Sequence, residues 1–198
     1  MSQFNTNYNE DHWKAAKRIL RYLNGTKDHG LIYVKNGKQL YGLVDADWGA
    51  NLTDRRSYSG YAFLLAGAVI SWEARKQRTV ALSSTEAEYM AISESTKEAM
   101  YLRGILSDLG ISWECVPLYN DSQSAQKLIQ CTGYRSRTKH IDVRHHFVRE
   151  CHRRGAISLC YMPTENMPAD FLTKGVQQIK HCRCRVALGV AKQRQGGG

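Results

Sequence analysis

From Glu10 to Leu23 the apolar residues Trp13, Ala16, Ile19, Leu20 and Leu23 recur at helical spacing, while Lys14, Lys17, Arg18 and Arg21 take the remaining faces. The pattern predicts a basic amphipathic helix that stops at Asn24-Gly25. A short β-branched run, Leu31 to Val34, reads as a strand and leads into a turn around Asn36-Gly37. Four more apolar runs follow: Leu40 to Ala46, Tyr58 to Leu65, Ala68 to Trp72 and Thr79 to Leu82. Each is short and bounded by polar or glycine-containing turns, which predicts an antiparallel meander. The period then changes. Between Ser83 and Leu109 the residues Tyr89, Ile92, Ala99, Leu102, Leu106 and Leu109 recur at helical intervals, and Gly110 stands just past the end, so this is the longest predicted helix.

Beyond it, Val116 to Tyr119 and Ile157 to Tyr161 read as strands, Ser124 to Gln130 and Ile141 to Arg153 as helices, and a closing helix starts at Asp170. A meander followed by strands alternating with helices predicts an α/β fold in which helices cover a mixed sheet. Ligands are then expected beyond the strand ends. The segment after Gly175 is basic, finishes in three glycines and is expected to be a mobile tail. At 198 residues the chain has room for one well-cored domain with flanking pieces, divided as 1–37, 38–175 and 176–198.

Charge adds a partner class. Twenty-eight Lys and Arg against eighteen Asp and Glu leave a formal +10, which favours a polyanion, although a solvated basic surface gives the same sum. The six cysteines are scattered without a C-x-x-C pair and no secretory segment opens the chain, so a reducing, intracellular setting is expected. His181, Cys182 and Cys184 match no common zinc spacing. No apolar run approaches the roughly 20 residues of a membrane-spanning helix, so no membrane partner is expected.

The candidate chemistry lies in acids at element ends. Asp45 closes an apolar strand and Asp47 follows two residues later on the same face, so periodicity does not choose between them, and either fits a solvated turn. Ser83 with Glu86 and Thr85 with Glu88 both have capping-box spacing, so capping accounts for either glutamate. Asp121, between a strand and a helix, fits an N-cap, and Asp170 fits first-turn charge on the closing helix. What no single explanation covers is that all these acids fall where a mixed sheet gathers its strand ends. Carboxylates so gathered repel one another and raise one another's pKa unless cations neutralise them. Oxygen-only ligands favour Mg²⁺, or Mn²⁺, and two such ions roughly 4 Å apart suit phosphodiester hydrolysis.

Four segments taken together resemble the ribonuclease H of copia-type (Pseudoviridae) retrotransposons: Asp45-Ala46-Asp47-Trp48, Ser83 to Ala91, Asn120 to Ala125, and Ala169 to Lys174. The stretches Arg55 to Tyr61, Ile70-Ser71-Trp72 and Arg137 to Asp142 are similar to that family in the same order. The opening helix, His12 to Leu23, resembles the segment that joins the reverse transcriptase to its ribonuclease H, so that the similarity spans roughly Ser2 to Lys174. The resemblance implies a ribonuclease H-like five-stranded mixed sheet, with residues 1–37 coming from the reverse transcriptase connection. It implies a metal-dependent endonuclease cutting the RNA strand of RNA–DNA hybrids, with two Mg²⁺ (or Mn²⁺) ions held by Asp45, Glu88, Asp121 and Asp170, and Glu86 left to capping. Partners would be the hybrid and the reverse transcriptase portion of the same polyprotein. The implied location is the cytoplasm, within a virus-like particle, or the nucleus.

Nucleic acid contacts are expected from Ser84 and Gln123 near the site and from Arg135, Arg137 and Lys139 on phosphates, though capping and solvation explain the same residues. The chain departs from cellular ribonucleases H before Asp170, where the loop offers Thr164 and Glu165 but no histidine. His140, His145 and His146 fall on a predicted helix, where a packed or solvated histidine is the ordinary case. Two other readings remain open: a noncatalytic binding or tethering domain from a degenerate element, and a related nuclease or integrase on the same fold.

Overall fold

A computed structural model describes residues 4–51, 53–131 and 139–193, with the backbone alone for 139–145. Helix α1 (Glu10–Gly25) and strand β1 (His29–Leu31) lead into β2 (Tyr41–Ala46), β3 (Tyr58–Leu65) and β4 (Ala68–Lys76). Helix α2 (Ser84–Asp108), strand β5 (Val116–Asn120), helices α3 (Gln123–Gln130) and α4 (Lys139–Arg153), and strand β6 (Ile157–Tyr161) follow. The chain ends in α5 (Asp170–Thr173), α6 (Gln178–Ala187) and β7 (Val190–Lys192).

The main sheet has five strands in the order β4-β3-β2-β5-β6. β2, β3 and β4 form the expected antiparallel meander, whereas β5 lies parallel to both β2 and β6. This is the α/β architecture expected from the sequence, a mixed five-stranded sheet flanked by helices. The β3–β4 hairpin turns at Ala66-Gly67, both at positive φ (52° and 83°), the geometry that matches the twist of the flanking strands.

Strand alternation sorts the core into two layers. Val44, Tyr61, Phe63, Val116 and Leu118 pack on one face against Tyr89, Ile92, Ala99 and Leu102 of α2. Leu43, Ala62 and Leu64 point to the other face, where Met167, Ala169 and Leu188 cover them. A central strand covered on both faces reads as a continuous apolar run, and Gly42 to Val44 are all buried. Gly42 is required by space, since a Cβ there would stand 2.7 Å from Leu118 Cδ2 and 2.8 Å from Phe63 Cε1.

Three sequence expectations need correction. No strand forms at Thr79 to Leu82; β4 instead continues to Lys76, paired with β3 through Tyr58↔Lys76. Ala81 is then buried against Ala87 and Met90, so the residue that looked like strand interior is a plug under α2. The strand near Leu31 ends there rather than at Val34, its pairing supplied by β7.

The third correction concerns the basic segment after Gly175. Expected to be mobile, it folds over its described residues, 176–193: α6 buries Cys184, Leu188 enters the second core layer, and β7 pairs antiparallel with β1. Its basic composition hid the few residues that anchor it. Gly189, at φ +78° with Ala68 Cα only 2.5 Å from where a Cβ would lie, makes that close docking possible. Leu188→Ala should therefore cost about 2–4 kcal/mol of unfolding free energy by denaturant titration, as for other buried leucines. An unchanged midpoint would mean that this segment does not cover the sheet.

Candidate metal centre

The acids meet at the carboxyl ends of β2 and β5, adjacent parallel strands, where a crevice opens in sheets of this kind. Asp45 stands one residue before the end of β2 and Asp121 directly after β5. Glu88 comes from the second turn of α2, whose start is fixed by Ser83: its hydroxyl accepts the Glu86 N–H at 3.2 Å. One carboxylate oxygen from each of Asp45, Glu88 and Asp121 lies within 4.8 Å of the others, the one such acidic group among the described residues.

Each of the three is held by neighbours that the sequence did not single out. Glu88 accepts the Ala46 N–H at 3.3 Å from the strand that carries Asp45, and the Asn120 side-chain amide at 3.4 Å from the residue before Asp121. Asn120 is itself fixed by Gln126 Nε2, which donates to its Oδ1 at 2.7 Å. The Thr164 hydroxyl donates to Asp121 Oδ2 at 2.6 Å, and the Thr173 hydroxyl donates to Asp45 Oδ2. Signals for Asn120 and Thr173 were present, since both lie inside quoted motifs. Thr164 was noted only as a residue of the loop before Asp170, and Gln126 carried no signal, because hydroxyl and amide positioning leaves no periodic trace.

The alternatives left open by spacing are resolved by these contacts. Asp47 is buried but accepts the Tyr58 N–H, and it does not join the acidic group. Glu86 reaches back to the Leu82 N–H at 2.7 Å, a capping role. Asp170 departs from the expected four-acid cluster. It is wholly buried beside Asp45, but its carboxylate is engaged by two ammonium groups, Lys174 at 2.5 Å and Lys180 of α6.

Ser84 and Gln123 line an open cleft of about 460 Å³ together with Glu88, Asp121 and Tyr161. Arg135 and Arg137 lie outside the described residues, as does the side chain of Lys139, whose backbone begins α4. The same holds for the His140 and His145 side chains, while His146 is exposed on α4. His181 packs edge-on against Tyr22 and Phe171, and with Cys182 and Cys184 it forms no metal-ligating group among the described residues.

Burial sets the electrostatics. Desolvation pushes Glu88 up to about 9, with the neighbouring Asp45 and Asp121 charges adding to it and the Ala46 and Asn120 donors opposing. Asp45 is pushed up to about 6, mainly by burial, with Thr173 opposing and Asp170 adding. Three carboxylate donors, two of them buried and Asp121 half-buried, fit a hard divalent cation, and the all-carboxylate set excludes a zinc-type nitrogen or sulfur site.

Both groups bind protons more tightly in the folded than in the unfolded state, so the cation-free fold loses stability as pH rises. For Asp45 the loss runs from its ordinary 3.8 to about 6, and for Glu88 from 4.5 to about 9. The unfolding free energy from denaturant titrations in EDTA should fall between pH 6 and 9 with a slope approaching about 1.4 kcal/mol per pH unit. Glu88→Gln should flatten that slope; a wild-type profile already flat there would contradict the assignment.

Comparisons with known proteins find retrotransposon polyproteins among the relatives of the chain. No protein-family profile matches the chain. The retrovirus-related Pol polyprotein from transposon TNT 1-94 of Nicotiana tabacum is 40% identical over 96% of this chain, which spans 14% of that polyprotein. The corresponding polyprotein from transposon RE2 of Arabidopsis thaliana is 37% identical over 97% of the chain, which spans 13% of it. Among solved structures, ribonuclease H1 of Halobacterium salinarum aligns with a TM-score of 0.48 at 15% identity, covering 69% of this chain and 95% of that one.

Proposed function

The chain belongs to the copia-type retrotransposon Pol polyproteins, and we propose that it is their ribonuclease H, a metal-dependent endonuclease that hydrolyses the RNA strand of RNA–DNA hybrids during reverse transcription. The observation that carries the reading is the convergence of Asp45, Glu88 and Asp121 at the crevice between parallel strands.

Asp45, Glu88 and Asp121 would hold the cation, Mg²⁺ or Mn²⁺, with Asp170 beside them. Bound there, it supplies Lewis acidity toward a water and a phosphate oxygen. Ala46 and Asn120 orient Glu88 toward its two aspartate partners, and Thr164 and Thr173 set the rotamers of Asp121 and Asp45. Such second contacts matter because a ligand held in place need not be ordered when the ion arrives. The open cleft past Ser84, Gln123 and Tyr161 gives a nucleic acid strand access to the acids. Polar donors there suit 2′-hydroxyls, and Arg135, Arg137 and Lys139 suit the phosphates.

The wider setting follows from the same reading. Partners are the hybrid and the reverse transcriptase portion of the polyprotein, to whose connection residues 1–37 belong. Six free thiols suit a reducing compartment, the cytoplasm with its virus-like particles or the nucleus. No helix among the described residues is long and apolar enough to cross a membrane. A noncatalytic tether is disfavoured because the acids and their orienting partners are all present, where a decayed copy would be free to lose them.

With labelled substrates in Mg²⁺, the protein should cut the RNA of a hybrid and leave duplex DNA intact, and EDTA should abolish the reaction. Asp45→Asn and Asp121→Asn should each lower the rate by about 100-fold or more while retaining salt-sensitive hybrid binding. Full activity in either variant would overturn the proposal, and cutting of duplex DNA alone would transfer it to a related nuclease.

A further inference from the structure

Asp170 is the most deeply buried of the acids, yet it is the one already neutralised from within the chain. Lys174, one turn on, places its ammonium 2.5 Å from Oδ1. Lys180 reaches Oδ2 from α6, an element that the meander, α2 and β5 do not need to assemble the three-acid group. The Lys180 ammonium also donates to the Thr164 carbonyl at 3.3 Å, and the Thr164 hydroxyl donates to Asp121 at 2.6 Å. A continuous polar chain therefore runs from Asp121 through Thr164 and Lys180 to Asp170.

Charge counting gives this arrangement a consequence. Asp45, Glu88, Asp121 and Asp170 carry four negative charges when ionised, and Lys174 and Lys180 return two. One divalent cation cancels the remainder, whereas a second would leave the buried site positive before any phosphate arrives. Lys180 pairs with neither Glu88 nor Asp121 and reaches Asp121 only through Thr164, whereas the Lys174 charge also acts on Asp45 and Asp121.

Resting on the metal reading above, we propose that Lys180 is an internal cation occupying the Asp170 side of the centre, so that the substrate-free protein binds one divalent ion, at Asp45, Glu88 and Asp121. The family resemblance alone implies two. Lys180 acts as a positioning residue, holding Asp170 and, through Thr164, Asp121 in place for that ion. Lys174 shares the carboxylate but lies on the same short segment, so it moves with Asp170, whereas Lys180 belongs to a separate helix and can be withdrawn independently.

The test is Mn²⁺ binding to the intact chain without substrate, read by calorimetry and by the electron paramagnetic resonance signal of free Mn²⁺. Wild type should take up one equivalent, any second binding at least about tenfold more weakly. Lys180→Met and Lys180→Gln, checked for folding by thermal melts, should each strengthen the second equivalent about tenfold or more. Lys180→Arg should behave as wild type. Two equivalents of matching affinity in wild type, or a second site unchanged in both neutral variants, would overturn the internal-cation role alone. Absence of any Mn²⁺ uptake in all four proteins would overturn the metal reading and this inference with it.

Discussion

Desolvation and mutual repulsion of the clustered carboxylates are the constraint around which the molecule is arranged. Burying Glu88 and bringing it within 4.8 Å of Asp45 and Asp121 costs free energy that the remaining structure must supply, and the raised affinity of Glu88 for a proton reflects burial first and the neighbouring charges second. The fold meets the cost by over-determining each position. Two sheet neighbours and a long helix are locked by an apolar layer that includes Val44, Leu118, Tyr89 and Ile92, and the acids ride on the ends of those elements. A charged cluster placed on loops would relax apart; placed on packed strands it cannot, and a cation becomes the way to relieve it.

The second core layer has a less obvious part in this. Met167, Ala169 and Leu188 cover the opposite face of the sheet, and the same segment delivers Thr164, Asp170, Thr173, Lys174 and Lys180 to the acids. Gly60 marks how close that approach is: a Cβ there would stand 2.8 Å from Leu172 Cβ and 2.9 Å from Thr173 Cγ2. Hydroxyls and ammonium groups thus reach the centre from one face while Glu88 reaches it from the other. The apolar packing and the polar chemistry of the C-terminal third belong to one structural unit.

Much of this was legible in the chain itself, for identifiable reasons. The meander, the long helix and the later strands announce themselves through period, because apolar side chains must face a core at regular intervals. Asp45, Glu88 and Asp121 sit at element ends and inside recognisable motifs. Thr79 to Leu82 misled because a short apolar run has no period of its own, and only burial of Ala81 under α2 reveals its role. The C-terminal segment misled because Arg and Lys dominate its composition while few residues, Cys184, Leu188 and Gly189 among them, do its docking. Asp170 was found by motif, but its partner Lys180 depends on a helix that the sequence reading left out.

The most direct measurement of the central claim is anomalous scattering from crystals of this chain soaked in Mn²⁺. The account predicts a strong peak bounded by the carboxylates of Asp45, Glu88 and Asp121. Well-ordered acids with no peak between them, or Mn²⁺ bound only elsewhere on the surface, would contradict it.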